Sequence, residues 1–111
     1  MKLSELYTKL DLVPLNVSDD DRSVDGVYCG DLLSWVMTRL SQNFAWVTIM
    51  SNINSIAVAS LSDASCIIFT ENADVSEDVI NRAKEQNINV FKTSKSTFDI
   101  SYMIGKMLYA E

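Results

Sequence analysis

The 111-residue sequence carries 15 acidic against 9 basic residues, a net charge of −6, and no histidine. A chain of this length makes one domain that buries roughly two-thirds of the surface its unfolded form exposes. Its Lys and Arg form no cluster or stripe, which excludes nucleic acid and anionic membrane surfaces as partners, and no apolar run reaches the ~18 residues a membrane span needs.

Leu3, Leu6, Tyr7 and Leu10 recur at helical spacing and predict a short amphipathic N-terminal helix. Met1-Lys2-Leu3-Ser4-Glu5 meets charge too early for a signal-peptide apolar region. Leu12–Asn16 contains Pro14 and fits only an edge strand. A loop over 18–25 carries Asp19, Asp20, Asp21 and Asp25, read as a solvated acidic turn rather than a cation site, because it lacks the spacing of a calcium loop. Gly26–Cys29 reads as a strand, Leu32 to Leu40 as a helix, Phe44–Met50 as a second strand and Ser65–Thr70 as a third.

Between them, Ile53, Ala57, Leu61 and Ala64 fall at helical spacing, and the interval has the length a parallel crossover requires. Ser76 is an expected N-cap, with Val79, Ile80 and Ala83 on one face of its helix and Asn87 as C-cap. Asn89–Lys92 forms the next strand, and Ser96 or Thr97 opens a last helix ending near Tyr109. The strands are continuous apolar runs, as in a sheet covered on both faces. The expected fold is α/β, one domain over 1–111, with a mainly parallel sheet and helices on both faces.

In such a sheet ligands bind beyond the carboxyl ends of the strands, where helix N-termini offer unpaired N–H groups. Four small polar corners qualify: Cys29-Gly30-Asp31, Ser51-Asn52-Ile53-Asn54, Thr70-Glu71-Asn72, and Thr93-Ser94-Lys95-Ser96. The candidate ligand residues are Cys29, Gly30, Asp31, Ser51, Asn52, Asn54, Thr70, Glu71, Thr93, Ser94 and Ser96. Simple helix capping competes with ligand binding at each corner. Asn54 or Ser55 is placed to cap the helix after the second corner, and Asp31 to cap its own.

The pieces GVYCGDLLSWVM (26–37), WVTIMSNINSIAVASLSDASCIIFTEN (46–72) and INVFKTSKSTFDIS (88–101) resemble the DRTGG domain, a small α/β regulatory module. They are also similar to the N-terminal, non-kinase domain of HPr kinase/phosphorylase. The family's Gly-Asp-Arg corner falls here at Ser51-Asn52, without Asp or Arg. Its Thr-Gly-Gly corner falls at Thr70-Glu71-Asn72, which keeps only the threonine. The resemblance implies a regulatory or dimerising module and no kinase activity, since this chain has no G-x-x-x-x-G-K-[ST] sequence.

Catalytic signals are sparse. Histidine is absent, and no G-x-S-x-G, C-x-x-C or G-x-G-x-x-G occurs. Cys29 and Cys66 each sit inside an expected element and read as buried thiols of a reducing compartment, the cytoplasm. No enzyme activity, cofactor or metal is expected.

At about 100° per residue, Leu33, Val36, Met37 and Leu40 form a core stripe with Trp35 opposite. In the last helix Met103, Ile104, Met107 and Leu108 form another, with Tyr102 and Tyr109 opposite. Either the N-terminal helix or a second subunit covers this aromatic face. Trp35, Tyr102 and Tyr109 are therefore the expected interface of a homodimer. Function is expected as a non-catalytic regulatory module sensing a small anionic metabolite or nucleotide. The alternative is a protein–protein adaptor without a small ligand.

Overall fold

A computed structural model describes residues 1–109. In chain order it contains α1 (Leu3–Lys9), β1 (Val13–Asn16), β2 (Gly26–Cys29), α2 (Leu33–Arg39), β3 (Phe44–Thr48), α3 (Ile53–Ser62), β4 (Cys66–Phe69), α4 (Glu77–Gln86), β5 (Val90–Lys92) and α5 (Thr97–Tyr109). The strands make one sheet in the order β1-β5-β4-β3-β2. β2 to β5 are mutually parallel, and β1 pairs antiparallel with β5 at one edge. Pro14, which lacks an N–H, sits in that edge strand next to a register shift.

Successive strand residues point to opposite faces, and both faces are buried. Trp46, Ile67, Phe69 and Val90 meet Val36 of α2 and Leu40 just after it, Ile56 and Ala59 of α3, and Val79 and Ala83 of α4. Ala45, Val47, Cys66, Ile68 and Phe91 meet Leu3 and Leu6 of α1 and Ile100 and Ile104 of α5. This two-sided cover is why the strands are apolar throughout. Tyr7 of α1 stacks on Phe91 with ring centroids 4.9 Å apart.

Three sequence readings change. α3 is a helix, but Ile53, Ala57 and Leu61, whose spacing identified it, lie on its solvent side, while Ser55, Ile56, Val58 and Ala59 are buried. The helix is apolar or small almost all round, so spacing does not distinguish its faces. Met37 is exposed rather than part of the α2 core stripe, because only Val36 of that helix is fully covered. Cys29 is exposed, not buried, since it ends an edge strand.

The loop before β2 is fastened to the body at two places. The Asn89 side chain is buried; its Oδ1 accepts from Ser18 N and Asp19 N, and its Nδ2 donates to the Asp19 and Ser65 carbonyls. Arg22 donates to Asn43 Oδ1 and to both the carbonyl and the carboxylate of Asp63. The acidic residues are spread by these ties: Asp21 pairs with Lys2 and Asp25 accepts from the Ser23 hydroxyl.

Candidate functional site: the carboxyl edge of the sheet

Because β2, β3, β4 and β5 run parallel, their four exits lie on one edge, and hydrogen bonds join them into a continuous belt. The first link is Asp31. Its Oδ1 accepts from Thr48 Oγ1 at 2.7 Å and from Ile49 N at 3.0 Å, so it bridges the β2 and β3 exits. The expected N-cap role for Asp31 is not what the structure shows. The N-cap falls one residue later, at Leu32, which supplies no side-chain cap. Trp46, wholly buried in the core, donates its indole N–H to the Gly30 carbonyl at 2.9 Å and anchors the same corner.

At the β3 exit, Asn52 caps α3 by accepting from Ser55 N, and the buried Ser55 hydroxyl returns to the Met50 carbonyl. Ser51 Oγ donates to the Asp74 carbonyl at 2.6 Å, the link to the β4 exit. Asn54 points elsewhere, into a hollow between α2 and α3. So of this corner Ser51 and Asn52 join the belt and Asn54 does not.

The β4 and β5 exits are the most closely joined. Here the chain diverges: α4 covers one face of the sheet and α5 the other. Divergence of helices from adjacent parallel strands marks the place where α/β sheets commonly bind ligands. Here hydrogen bonds bridge the two exits: Glu71 N donates to the Lys95 carbonyl and Asn72 N to the Thr93 carbonyl. Thr70 and Thr97 share a hydroxyl hydrogen bond of 2.6 Å, and Glu71 Oε2 accepts from Thr97 N at 2.9 Å. Ser96 Oγ accepts from Asp99 N in the manner of an N-cap, while Thr93 Oγ1 accepts from Lys95 N. Ser94 is exposed on this loop.

Glu71 and Asn72 both have left-handed backbones, with φ of 60° and 55°. That region costs a non-glycine residue roughly 1 kcal/mol or more, Asn less than most. Thus a turn that asks for two glycines is made without them, and the first supplies a carboxylate to the N-terminus of α5, where a negative charge is favoured.

The belt also contains residues that sequence reasoning missed: Thr48, Asp74 and Thr97. Thr48 carried a signal, a hydroxyl closing an otherwise apolar buried strand; Asp74 and Thr97 carried none. Asp63 and Cys66, both outside the belt, depart from their ordinary behaviour. Hydrogen bonds from Arg22 and then Gln42 lower the Asp63 pKa. Burial pushes the Cys66 thiol up to about 12. Among the described residues no three His, Cys, Asp or Glu side chains are grouped to hold a metal ion, and no helix is long and apolar enough to cross a membrane.

The interface candidates do not share a surface. Trp35 belongs to α2, on one face of the sheet, and its ring carries the Arg39 guanidinium 4.1 Å from the centroid. Tyr102 and Tyr109 belong to α5, on the other face, and both are exposed. Tyr102 stacks with the exposed Phe98 and lines a hollow with Lys9 and Leu10 at the end of α1, so the N-terminal helix borders the aromatic face and leaves it exposed.

Residues 15–107 match the model of the DRTGG domain, and the chain belongs to that family. Among solved structures it is similar to the CBS and DRTGG domains of the regulatory region of Clostridium perfringens pyrophosphatase, in complex with the activator diadenosine tetraphosphate. The two are 18% identical with a TM-score of 0.73, over 93% of this chain and 45% of that one; the chain thus spans under half the length of that structure. No curated protein matches the chain.

Proposed function

We propose that this chain is a non-catalytic regulatory module, one domain working in the cytoplasm as a homodimer, which responds to a nucleotide at the carboxyl edge of its sheet. The observation that carries this reading is the divergence of α4 and α5 from the adjacent strands β4 and β5, with Thr70, Glu71, Thr93, Ser94 and Ser96 around it. The pyrophosphatase regulatory region binds a nucleotide activator, which supports the same class of ligand here.

The polarity of the edge narrows the ligand. Asp31, Glu71, Asp74 and Asp99 outnumber Lys92 and Lys95, so a bare phosphate meets net repulsion. A nucleotide suits the mixture better: carboxylates accept from ribose hydroxyls or base amino groups, and Lys95 faces a phosphate. A response at one exit has a route to the others, because Asp31, Ser51 and Glu71 tie each exit to the next. The non-catalytic part rests on the state of the hydroxyls. Thr48, the one that meets Asp31, is wholly buried and also accepts from Met50 N, so it is not free to attack a substrate.

A panel of adenine and guanine nucleotides, diadenosine tetraphosphate, phosphosugars and acetyl phosphate tests this by thermal shift. A true ligand at 100 times its dissociation constant adds about 2.7 kcal/mol. The expected result is a rise in Tm with a nucleotide and none with acetyl phosphate. A flat panel contradicts the ligand reading and favours an adaptor. The exposed Phe98–Tyr102 stack is the observation on that side.

A further inference from the structure

We propose that a second copy of this chain docks on the face formed by α2 and α3; this rests on the homodimer of the preceding reading and locates it away from the aromatic residues of α5. From Leu32 to Ser62 the sequence has no Asp or Glu, and Arg39 is its only charge, in a chain whose net charge is −6. Yet this stretch supplies two surface helices. Leu32, Met37, Ile53 and Leu61 are all exposed on or beside them.

Charge selects the occupant. Two molecules of −6 repel, and any face bearing carboxylates adds local repulsion when it meets its own copy. The α2–α3 face brings no acid against another. The two helices themselves carry one charge, an arginine already engaged with Trp35, and Arg82 of α4, beside them, is paired with Glu85. An apolar patch depleted of charge is the composition of a homodimer core.

Shape agrees. Leu33, Met37, Asn54, Ala57, Val58 and Leu61 line a hollow of about 340 Å³ between the two helices. On the far side of Leu61 a second hollow runs toward Arg82 and Gln86 of α4. Leu61, 74% exposed, is thus a ridge standing between two grooves. A two-fold interface uses the same patch on both partners, and therefore needs ridge and groove together on one surface. In the dimer each Leu61 enters the α2–α3 hollow of the other copy.

Sedimentation equilibrium of the full chain at micromolar concentrations is expected to give twice the 12.4 kDa chain mass. Leu61→Glu places like charges face to face and is expected to weaken association by about 100-fold, with a cooperative thermal transition showing that the fold survives. An equimolar mixture of Leu61→Glu and Leu61→Lys is expected to associate again. Tyr102→Glu is expected to remain dimeric. If Leu61→Glu stays a dimer while Tyr102→Glu becomes a monomer, the interface is elsewhere and this inference fails alone. A wild-type chain that is monomeric throughout overturns this inference and the homodimer together, leaving the nucleotide panel to be judged separately.

Discussion

Glu71 sets a carboxylate oxygen 2.9 Å from the backbone N–H of Thr97, across the gap where the chain leaves β4 for one face of the sheet and β5 for the other. The contact closes the N-terminus of α5 with a group from the neighbouring exit. It is made by a residue whose own backbone is left-handed, so two opposing terms meet at one position.

Substitution separates those terms. Glu71→Ala removes the capping carboxylate and keeps a side chain in the left-handed region; it is expected to cost about 1 kcal/mol. Glu71→Gly loses the same carboxylate but relieves the backbone by a comparable amount, so its urea midpoint is expected within a few tenths of a molar of wild type. Alanine equal to or better than glycine contradicts this account of the turn.

Asn89 uses all the capacity of a buried amide to hold the 18–25 loop. Asn89→Ala takes this partner from the Ser18 and Asp19 N–H groups and from the Asp19 and Ser65 carbonyls, a loss of roughly 3 kcal/mol. Amide hydrogen exchange is expected to speed up at Ser18 and Asp19, and not in α5. Unchanged protection at those two amides contradicts the role given to Asn89.

Gly26 lies beneath the ring of Phe44 on the adjacent strand, where a Cβ has no room. Gly26→Ala is expected to destabilise by about 1–3 kcal/mol through overpacking. Adding Phe44→Leu shrinks the neighbour, and the double variant is expected to be more stable than the sum of the two single changes. Strict additivity rules out the steric explanation.

Asp63 provides the pH dependence. Hydrogen bonds from Arg22 and Gln42 hold its folded-state pKa below the ordinary value. The ionised form is therefore favoured on folding, and the stabilisation is complete above the unfolded pKa of ~3.9 and lost as pH falls through the lower folded value. Asp63→Asn keeps a residue that tolerates the left-handed helix end. It is expected to be less stable than wild type at neutral pH, with the gap narrowing below about pH 4. A gap that stays constant with pH places the effect outside this ionisation.

The sheet and its order of elements were legible because buried parallel strands must be apolar runs, and the intervals between them suit helices. Pro14 marked an edge, and Asn87 ends α4 in the left-handed conformation expected of a C-cap. Faces were harder. The spacing of Ile53, Ala57 and Leu61 reports a helix, but on α3 the small residues Ser55 and Ala59 point inward and Leu61 outward, so hydrophobicity alone chooses the wrong side. Asp31 misled for a related reason: an acid before a helix satisfies the capping pattern, whereas its actual partner, Thr48, is a neighbour only through strand pairing. Such contacts depend on which exits the sheet brings together, and local pattern does not contain that information.

Amide NMR titration with diadenosine tetraphosphate and with ATP tests the nucleotide-responsive edge most directly. The account predicts that the largest shifts fall on residues 70–74 and 93–97, with smaller ones at Asp31 and Ile49, and that the helix surfaces stay silent. Saturating nucleotide that leaves 70–74 and 93–97 unmoved contradicts it.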